Sequence, residues 1–172
     1  EALQILNMFI PKGRHLLSMK GKVKNANSSY NTTVEPLDTV MPIVVLVNEA
    51  TASASEITSG TLQDYDRAVI MGTRTYGKGL VQIPNVSLPY NGKLKLTTAK
   101  YYIPSGRCIQ ALRYKHTDNG YVAENVPDSL THEFRTAAGR IVRDGGGIKP
   151  DIEVKPDSLP NIAFYLSRVD TT

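Results

Sequence analysis

Met41-Pro42-Ile43-Val44-Val45-Leu46-Val47-Asn48-Glu49-Ala50-Thr51-Ala52-Ser53-Ala54-Ser55-Glu56-Ile57 runs from an unbroken apolar stretch, through a turn, into a helical pattern. β-branched residues dominate Met41 to Val47, which predicts a buried central strand. Asn48 to Thr51 make the turn. From about Ser53 the small or apolar positions Ala54, Ile57 and Leu62 predict a helix to about Leu62. Arg67-Ala68-Val69-Ile70-Met71 reads as a second short strand, ended by Gly72. Strand, helix, strand is the signature of a parallel α/β layer.

Outward from this unit, Ala2, Leu3, Leu6, Phe9 and Ile10 share one helical face, and Pro11-Lys12-Gly13 stops the helix. His15 to Lys20 predicts a strand, and Lys22 to Asp38 a loop or ragged hairpin. After Gly72 strands dominate. Leu80 to Val86 and Lys93 to Ile103 flank Pro89-Tyr90-Asn91-Gly92, a strong hairpin turn. Pro104-Ser105-Gly106 is a further turn. Residues 112–133 are polar and read as an excursion from the core. Phe134 to Val142 predicts a strand or hairpin, Gly145-Gly146-Gly147 a flexible link, Lys149 to Val154 a short strand, and Pro160 to Leu166 a last helical turn or two.

The 172 residues are the size of one domain, and 41% hydrophobic with 21% charged residues describes a globular chain. A net charge of +4 from scattered basic residues gives no nucleic-acid footprint. The single cysteine, Cys108, excludes an internal disulfide and a cysteine-rich zinc site. No apolar run reaches the ~18–20 residues that cross a bilayer.

The candidate chemistry lies at Ser53 and Lys78. A serine needs a neighbouring base, and His15, His116 and His132 sit in polar, loop-like surroundings. A neutral lysine can serve, but near pH 7 that requires a shift of about 3 pKa units, or ~4 kcal/mol, which burial against apolar walls can supply. Lys78, in Gly77-Lys78-Gly79-Leu80-Val81, has a setting compatible with a buried amine. Ser53 stands at a helix entrance, where unpaired amides favour negative charge, and the Ala54 amide is placed to stabilise an oxyanion. Glu56, at i+3, stays near that entrance. Gln82, four residues past Lys78 in an extended strand, shares its face and can orient the amine. The same residues have plainer readings: Ser53-x-x-Glu56 is also a capping box, Ser55 is a rival nucleophile, and a lysine in a turn is commonly a solvated charge. Gly72 to Lys78 also fits Gly-x-x-x-x-Gly-Lys, yet Gly79 stands where a phosphate loop needs Ser or Thr, and a β-like segment follows where a helix is required. A Cys108–His116 pair has no motif around it. Asn27, Asn31 and Asn85 fit a glycosylation triplet that is common by chance.

Four blocks now occur together: Val44 to Ile57, Gly72 to Gln82, Tyr102-Ile103-Pro104-Ser105-Gly106-Arg107, and Gly147-Ile148-Lys149-Pro150-Asp151-Ile152. In this order they resemble the carboxyl-terminal processing peptidases, or tail-specific proteases. The resemblance implies an α/β core of the Clp protease and crotonase group, here with β-hairpin additions. It implies a serine endopeptidase with nucleophile Ser53, general base Lys78, lysine-orienting Gln82, an active-site glutamate at Glu56 and one oxyanion amide at Ala54. No metal or cofactor is implied. Substrates would be polypeptides whose C-termini a PDZ domain captures, and members are exported to the periplasm or cell envelope, or to the thylakoid lumen. The family's PDZ domain and its Asp-Leu-Arg-x-Asn-x-Gly-Gly oxyanion block are expected upstream of Glu1. Residues 1–172 therefore read as a partial catalytic domain, inactive or nearly so alone, with an insertion at 111–143. The alternatives are a non-catalytic peptide-binding scaffold and a crotonase-like acyl-thioester enzyme, which would not need Lys78.

Overall fold

A computed structural model describes residues 1–117 and 120–154. The helix α1 (Ala2–Phe9) buries Leu6 and is followed by β1 (His15–Gly21) and a short β2 (Ser28–Asn31). β1 and β2 pair antiparallel with a register shift between His15 and Leu17, the ragged hairpin that the polar sequence implied. β3 (Val44–Val47), α2 (Ala54–Asp64) and β4 (Val69–Gly72) form the expected parallel unit, with Val44 opposite Val69 and Val47 opposite Gly72. β11 (Ile152–Glu153) adds parallel to the other side of β4, giving the order β11-β4-β3.

A second sheet has the order β2-β1-β6-β5, where β5 (Leu80–Ser87) and β6 (Lys93–Tyr102) are the long hairpin. Five residues join the strands, and within them the Pro89–Gly92 turn holds Tyr90 and Asn91 both at φ 59°, the two positive central angles of a type I′ turn. β7 (Leu112–Thr117) with β8 (Gly120–Asn125), and β9 (Glu133–Arg135) with β10 (Ile141–Arg143), are separate two-stranded hairpins, so the 112–133 excursion is itself partly strand. The helix expected at Pro160 to Leu166 lies outside the described residues.

The core gathers between α1, α2 and the inner face of the parallel sheet: Leu6, Ile10, Leu16, Ile57, Leu62, Ile70, Ile103, Ile109 and Ile148. Two sequence expectations change here. The Met41–Val47 run is not a buried central strand. Its ordered part, β3, is an edge strand among the described residues, with Val44 and Leu46 56% and 76% exposed. α2 packs on one face of the sheet only, so alternate residues of the run face outward. Nor is Gly145-Gly146-Gly147 a slack link. Gly145 N–H donates to Cys108 O and Gly147 N–H to Ile109 O, and both glycines are buried. Gly147 sits at φ 70°, and a Cβ there would lie 2.6 Å from Thr75 O, so the backbone crosses where no side chain fits.

Polar groups at the end of α2 fasten the later motifs to it. Asp64 accepts from Ser105 N–H at 2.9 Å and pairs with Arg107 Nη2 at 2.9 Å, with the Asp64 and Arg107 side chains each 1% exposed. Arg107 Nη2 also donates to Gln63 Oε1, and Gln63 Nε2 donates to Lys149 O and Asp151 Oδ1. Asp151 in turn accepts from Ile70 N–H at 2.8 Å. The Ser105-Gly106-Arg107 turn and the Pro150-Asp151 step thus have structural roles. Burial pushes the Asp64 carboxyl above its ordinary range against the pull of Arg107, and pushes Arg107 down against the pull of Asp64.

Arg107→Met removes the guanidinium from the buried Asp64 and leaves it Ser105 as its partner among the described residues. We expect a loss of about 3 kcal/mol in urea unfolding at neutral pH. Asp64, with a folded pKa above its unfolded one, binds its proton more tightly in the native state, so stability falls as pH rises through that interval. Removing Arg107 widens the interval, and the loss should shrink in acid. An equal loss at all pH values would contradict this assignment.

Candidate active site

The strands β3 and β4 end side by side, and the loops that follow them carry Ser53 and Lys78. Ligands commonly bind in such a position, at the carboxyl ends of parallel strands. The loops bond to each other through Thr73 N–H to Val47 O, Tyr76 N–H to Thr51 O, and Thr73 Oγ1 to Glu49 Oε2.

Ser53 is the N-cap of α2 and has φ 55° and ψ −112°. An L-residue other than glycine held there costs on the order of 1–3 kcal/mol and persists only where its surroundings fix it. A serine on a tight strand-to-helix turn is the arrangement that presents a nucleophilic hydroxyl. Ala54 opens α2 and is exposed, so its amide belongs to the first turn, where helical amides lack intrahelical partners. Ser55 is also exposed, but it lies within the helix at ordinary backbone angles.

Glu56 holds the two loops together. It is fully buried. Its Oε2 accepts from Ser53 N–H at 2.9 Å and from Lys78 N–H at 2.8 Å. Its Oε1 accepts from Gly77 N–H at 2.6 Å and from Thr75 Oγ1 at 2.5 Å. The bond to Ser53 N–H is the glutamate half of the capping box. The other three bonds extend it across the fold, so that a single carboxylate oxygen bridges the backbones of Ser53 and Lys78. Gly77 sits at φ 85°, and a Cβ there would stand 2.3 Å from that of Ala111. Gly79 N–H donates to Gln110 Oε1, Ala111 N–H to Gly77 O, and Tyr101 N–H to Gly79 O, which pins the lysine turn from its other side. Thr75 and Gln110 escaped the sequence reading. Neither belongs to a spacing rule, and their partners are 19 and 31 residues away.

Lys78 and Gln82 line one cleft of about 560 Å³, together with Ala50, Ala52, Tyr76, Leu80, Lys95, Gln110, Leu112 and Tyr114. Two sequence expectations differ from what is found. The Lys78 side chain is exposed rather than buried, because the apolar walls Leu80, Leu112 and Tyr114 leave the cleft open. Gln82 Nε2 donates to Thr97 Oγ1 at 3.3 Å, its cross-strand neighbour, rather than meeting the amine. A larger cleft of about 870 Å³, lined by Arg74, Arg107, Arg140, Arg143 and Lys149 among others, contains neither Ser53 nor Lys78. Most of its cations are paired with Asp64, Asp66, Asp151 and Glu133. His132 pairs with Asp144 in the open, and His15 bonds to Asn31 and Ser18 on the first sheet. Burial pushes the Cys108 thiol up, away from a reactive thiolate.

Residues 1–117, which carry Ser53, Glu56, Lys78 and Gln82, match the sequence pattern of peptidase family S41. The chain belongs to peptidase family S41. Two relatives are a carboxy-terminal-processing protease of Bartonella bacilliformis, 43% identical over 65% of this chain, and a probable CtpA-like serine protease of Staphylococcus aureus N315, 38% identical over 63%. The chain spans 25% and 22% of their respective lengths. Among solved structures it resembles a photosystem II D1 C-terminal processing protease, with TM-score 0.62 and 27% identity over 98% of this chain and 34% of that one. A putative S41 protease from Bacteroides fragilis, at TM-score 0.60 and 19% identity over 99% of this chain and 41% of that one, shares the fold. This S41 chain is thus a partial domain of that α/β fold.

Proposed function

We propose that the polypeptide carrying residues 1–172 is a serine endopeptidase of the C-terminal processing type, acting through Ser53 and Lys78. The observation that carries this reading is the buried Glu56 carboxylate, which binds the serine turn and the lysine turn at once. A capping box alone needs only the first of these bonds. Neutral Lys78 takes the Ser53 proton, and the alkoxide attacks the scissile carbonyl. The Ala54 amide and a glycine amide from upstream chain hold the oxyanion. Lys78 then gives its proton to the departing amine, leaving an acyl-serine. Water, deprotonated by the same lysine, releases the new carboxylate and regenerates the hydroxyl. Gln82 would orient the amine only after exchanging its bond to Thr97 for one to Lys78 as the cleft closes, and Glu56 positions both turns without touching substrate.

Desolvation is the physical route to a neutral lysine, and the Lys78 side chain is exposed here. Residues 1–172 alone are therefore expected to be inactive, with the rest of the longer polypeptide closing the cleft. Substrates are exported proteins read at their C-termini through a PDZ domain elsewhere in that polypeptide. The site lies in the periplasm or cell envelope, residues 111–143 are an insertion, and no cofactor takes part. Among the described residues no helix is long and apolar enough to cross a membrane.

A peptidyl diaryl phosphonate, which phosphonylates an activated serine with loss of a phenol, tests the nucleophile directly. With full-length polypeptide that cleaves casein, the adduct is expected on Ser53 by peptide mass spectrometry, in a 1:1 ratio and with loss of turnover. An adduct on Ser55, or inactivation without any serine adduct, would reject the assignment.

A further inference from the structure

The cleft that holds Lys78 also holds a second lysine, Lys95 of β6. Thr97 pairs with Gln82 in register, and Lys95 lies two residues from Thr97, so these three side chains share one face of the hairpin. No Asp or Glu lines the cleft. Its two amide side chains are already engaged. Gln82 Nε2 donates to Thr97 Oγ1, while Gln110 accepts from Gly79 N–H and donates to Leu112 O. The Lys95 ammonium has neither an ion pair nor a hydrogen bond among the described residues, whereas Lys115 on β7 pairs with Glu124. An exposed lysine elsewhere needs no partner but water. Lys95 differs in standing within the cleft of the reacting lysine, whose walls include the apolar Leu80, Leu112 and Tyr114 ring. A cleft lined by one sign of charge concentrates the opposite sign.

We propose that Lys95 determines specificity, by pairing with the carboxylate of an Asp or Glu side chain in the polypeptide substrate. The inference rests on the reading of Ser53 and Lys78 as the reacting pair. In that chemistry Lys78 works as a neutral amine, so Lys95 supplies the standing positive charge among the residues that line the cleft. The substrate enters as an extended segment, with apolar side chains against Leu80, Leu112 and Tyr114 and its carboxylate on Lys95. Four residues separate Lys78 from Gln82 and two separate Thr97 from Lys95, so the two lysine backbones lie about six strand residues, or up to ~20 Å, apart. The acidic residue is therefore placed within about six residues of the scissile bond. A terminal carboxylate could make the same pair only where the cut falls that close to the end of the substrate. A side chain carries no such restriction, and an endopeptidase cuts inside chains.

The test is a cleavage-site profile. Full-length polypeptide digests a peptide library made from casein and other denatured proteins, and mass spectrometry reads the residues around each cut. Asp and Glu are expected to be enriched about fivefold over Asn and Gln at one position within about six residues of the cut, the scale of an exposed ion pair. Lys95→Met should remove that enrichment, and Lys95→Glu should replace it by an enrichment in Lys and Arg. Each profile is a ratio, so a general loss of rate in a variant cancels. A flat charge profile for the wild type, or an acidic preference that survives Lys95→Glu, would overturn the proposal. So would an enrichment confined to peptides that end close to the cut and abolished by C-terminal amidation, which would give Lys95 to the terminal carboxylate. Retention of the same library on immobilised Ser53→Ala polypeptide reads the cleft without turnover. Acidic peptides should be retained over their neutral counterparts there, and adding Lys95→Met should erase the difference. Failure of the wild type to cut, or equal cutting by Ser53→Ala, would sink the peptidase reading, and the retention ratio would still decide the role of Lys95.

Discussion

Lys78→Ala is expected to lower kcat/KM for peptide cleavage by the full-length polypeptide about 10⁴-fold, and Ser53→Ala to lower it about 10⁶-fold, to the residual rate that binding and the oxyanion site supply. Ser53 is already held at φ 55°, so its replacement by alanine keeps the backbone problem and removes only the hydroxyl. Lys78 has its amide anchored to Glu56 and its flanking Gly77 and Gly79 anchored to Glu56, Ala111, Gln110 and Tyr101. Truncating its side chain therefore deletes the amine and leaves the turn standing. Lys78→Arg should not rescue, because a guanidinium does not give up its proton in proteins. The double variant should be no worse than Ser53→Ala, since a nucleophile and its base act as one unit. Steady-state cleavage of casein decides the matter. A loss of less than tenfold for Lys78→Ala would remove the lysine from the reaction and favour an acyl-thioester chemistry or a histidine base.

Glu56→Ala should cost about 4 kcal/mol of stability, because four donors lose their acceptor in a buried place. Glu56→Gln should cost roughly half of that. The glutamine oxygen can still accept, while its amide nitrogen faces N–H groups of Ser53, Gly77 or Lys78. Both variants should lower kcat by about 10²-fold through misplacement of the serine and lysine turns. The pH dependence of the residual Glu56→Gln activity separates positioning from proton transfer. An unchanged profile with reduced amplitude is expected. A profile that loses one limb would make Glu56 itself an acid or base.

How much of this could be read before the fold was known differs residue by residue. The β3-α2-β4 unit was legible because β-branched runs and a helical period are local properties. The glutamate half of the capping box was legible for the same reason, three residues from Ser53. The rest of the Glu56 cluster was not, since Thr75, Gly77 and Lys78 reach it only once β3 and β4 lie in register. Burial of Val44 and Leu46 could not be read from their chemistry either. An apolar residue in a strand is covered only if another element lies over it. Gly145-Gly146-Gly147 advertises conformational freedom, which the chain uses at φ 75° and 70°, but a close crossing with Thr75 is a property of two distant segments. The exposed Lys78 amine follows the same logic, because its desolvation depends on walls that its neighbours in sequence do not build.

Asp151 also orders events in time. Its carboxylate supplies the acceptor for Ile70 N–H and for Gln63 Nε2, and a salt-bridge partner for Arg140. During synthesis at ~5–20 residues per second, several seconds separate the emergence of Lys78 from that of Asp151. In that interval the Glu56 cluster has all its members, whereas the neighbouring edge of β4 has no strand beside it and the end of α2 lacks its anchor. The serine and lysine turns can therefore be assembled on a nascent chain whose sheet is still unfinished. A ribosome stalled before residue 151 would hold the Ser53 and Lys78 turns on an unclosed scaffold, the stage at which the chain most needs protection from aggregation and degradation.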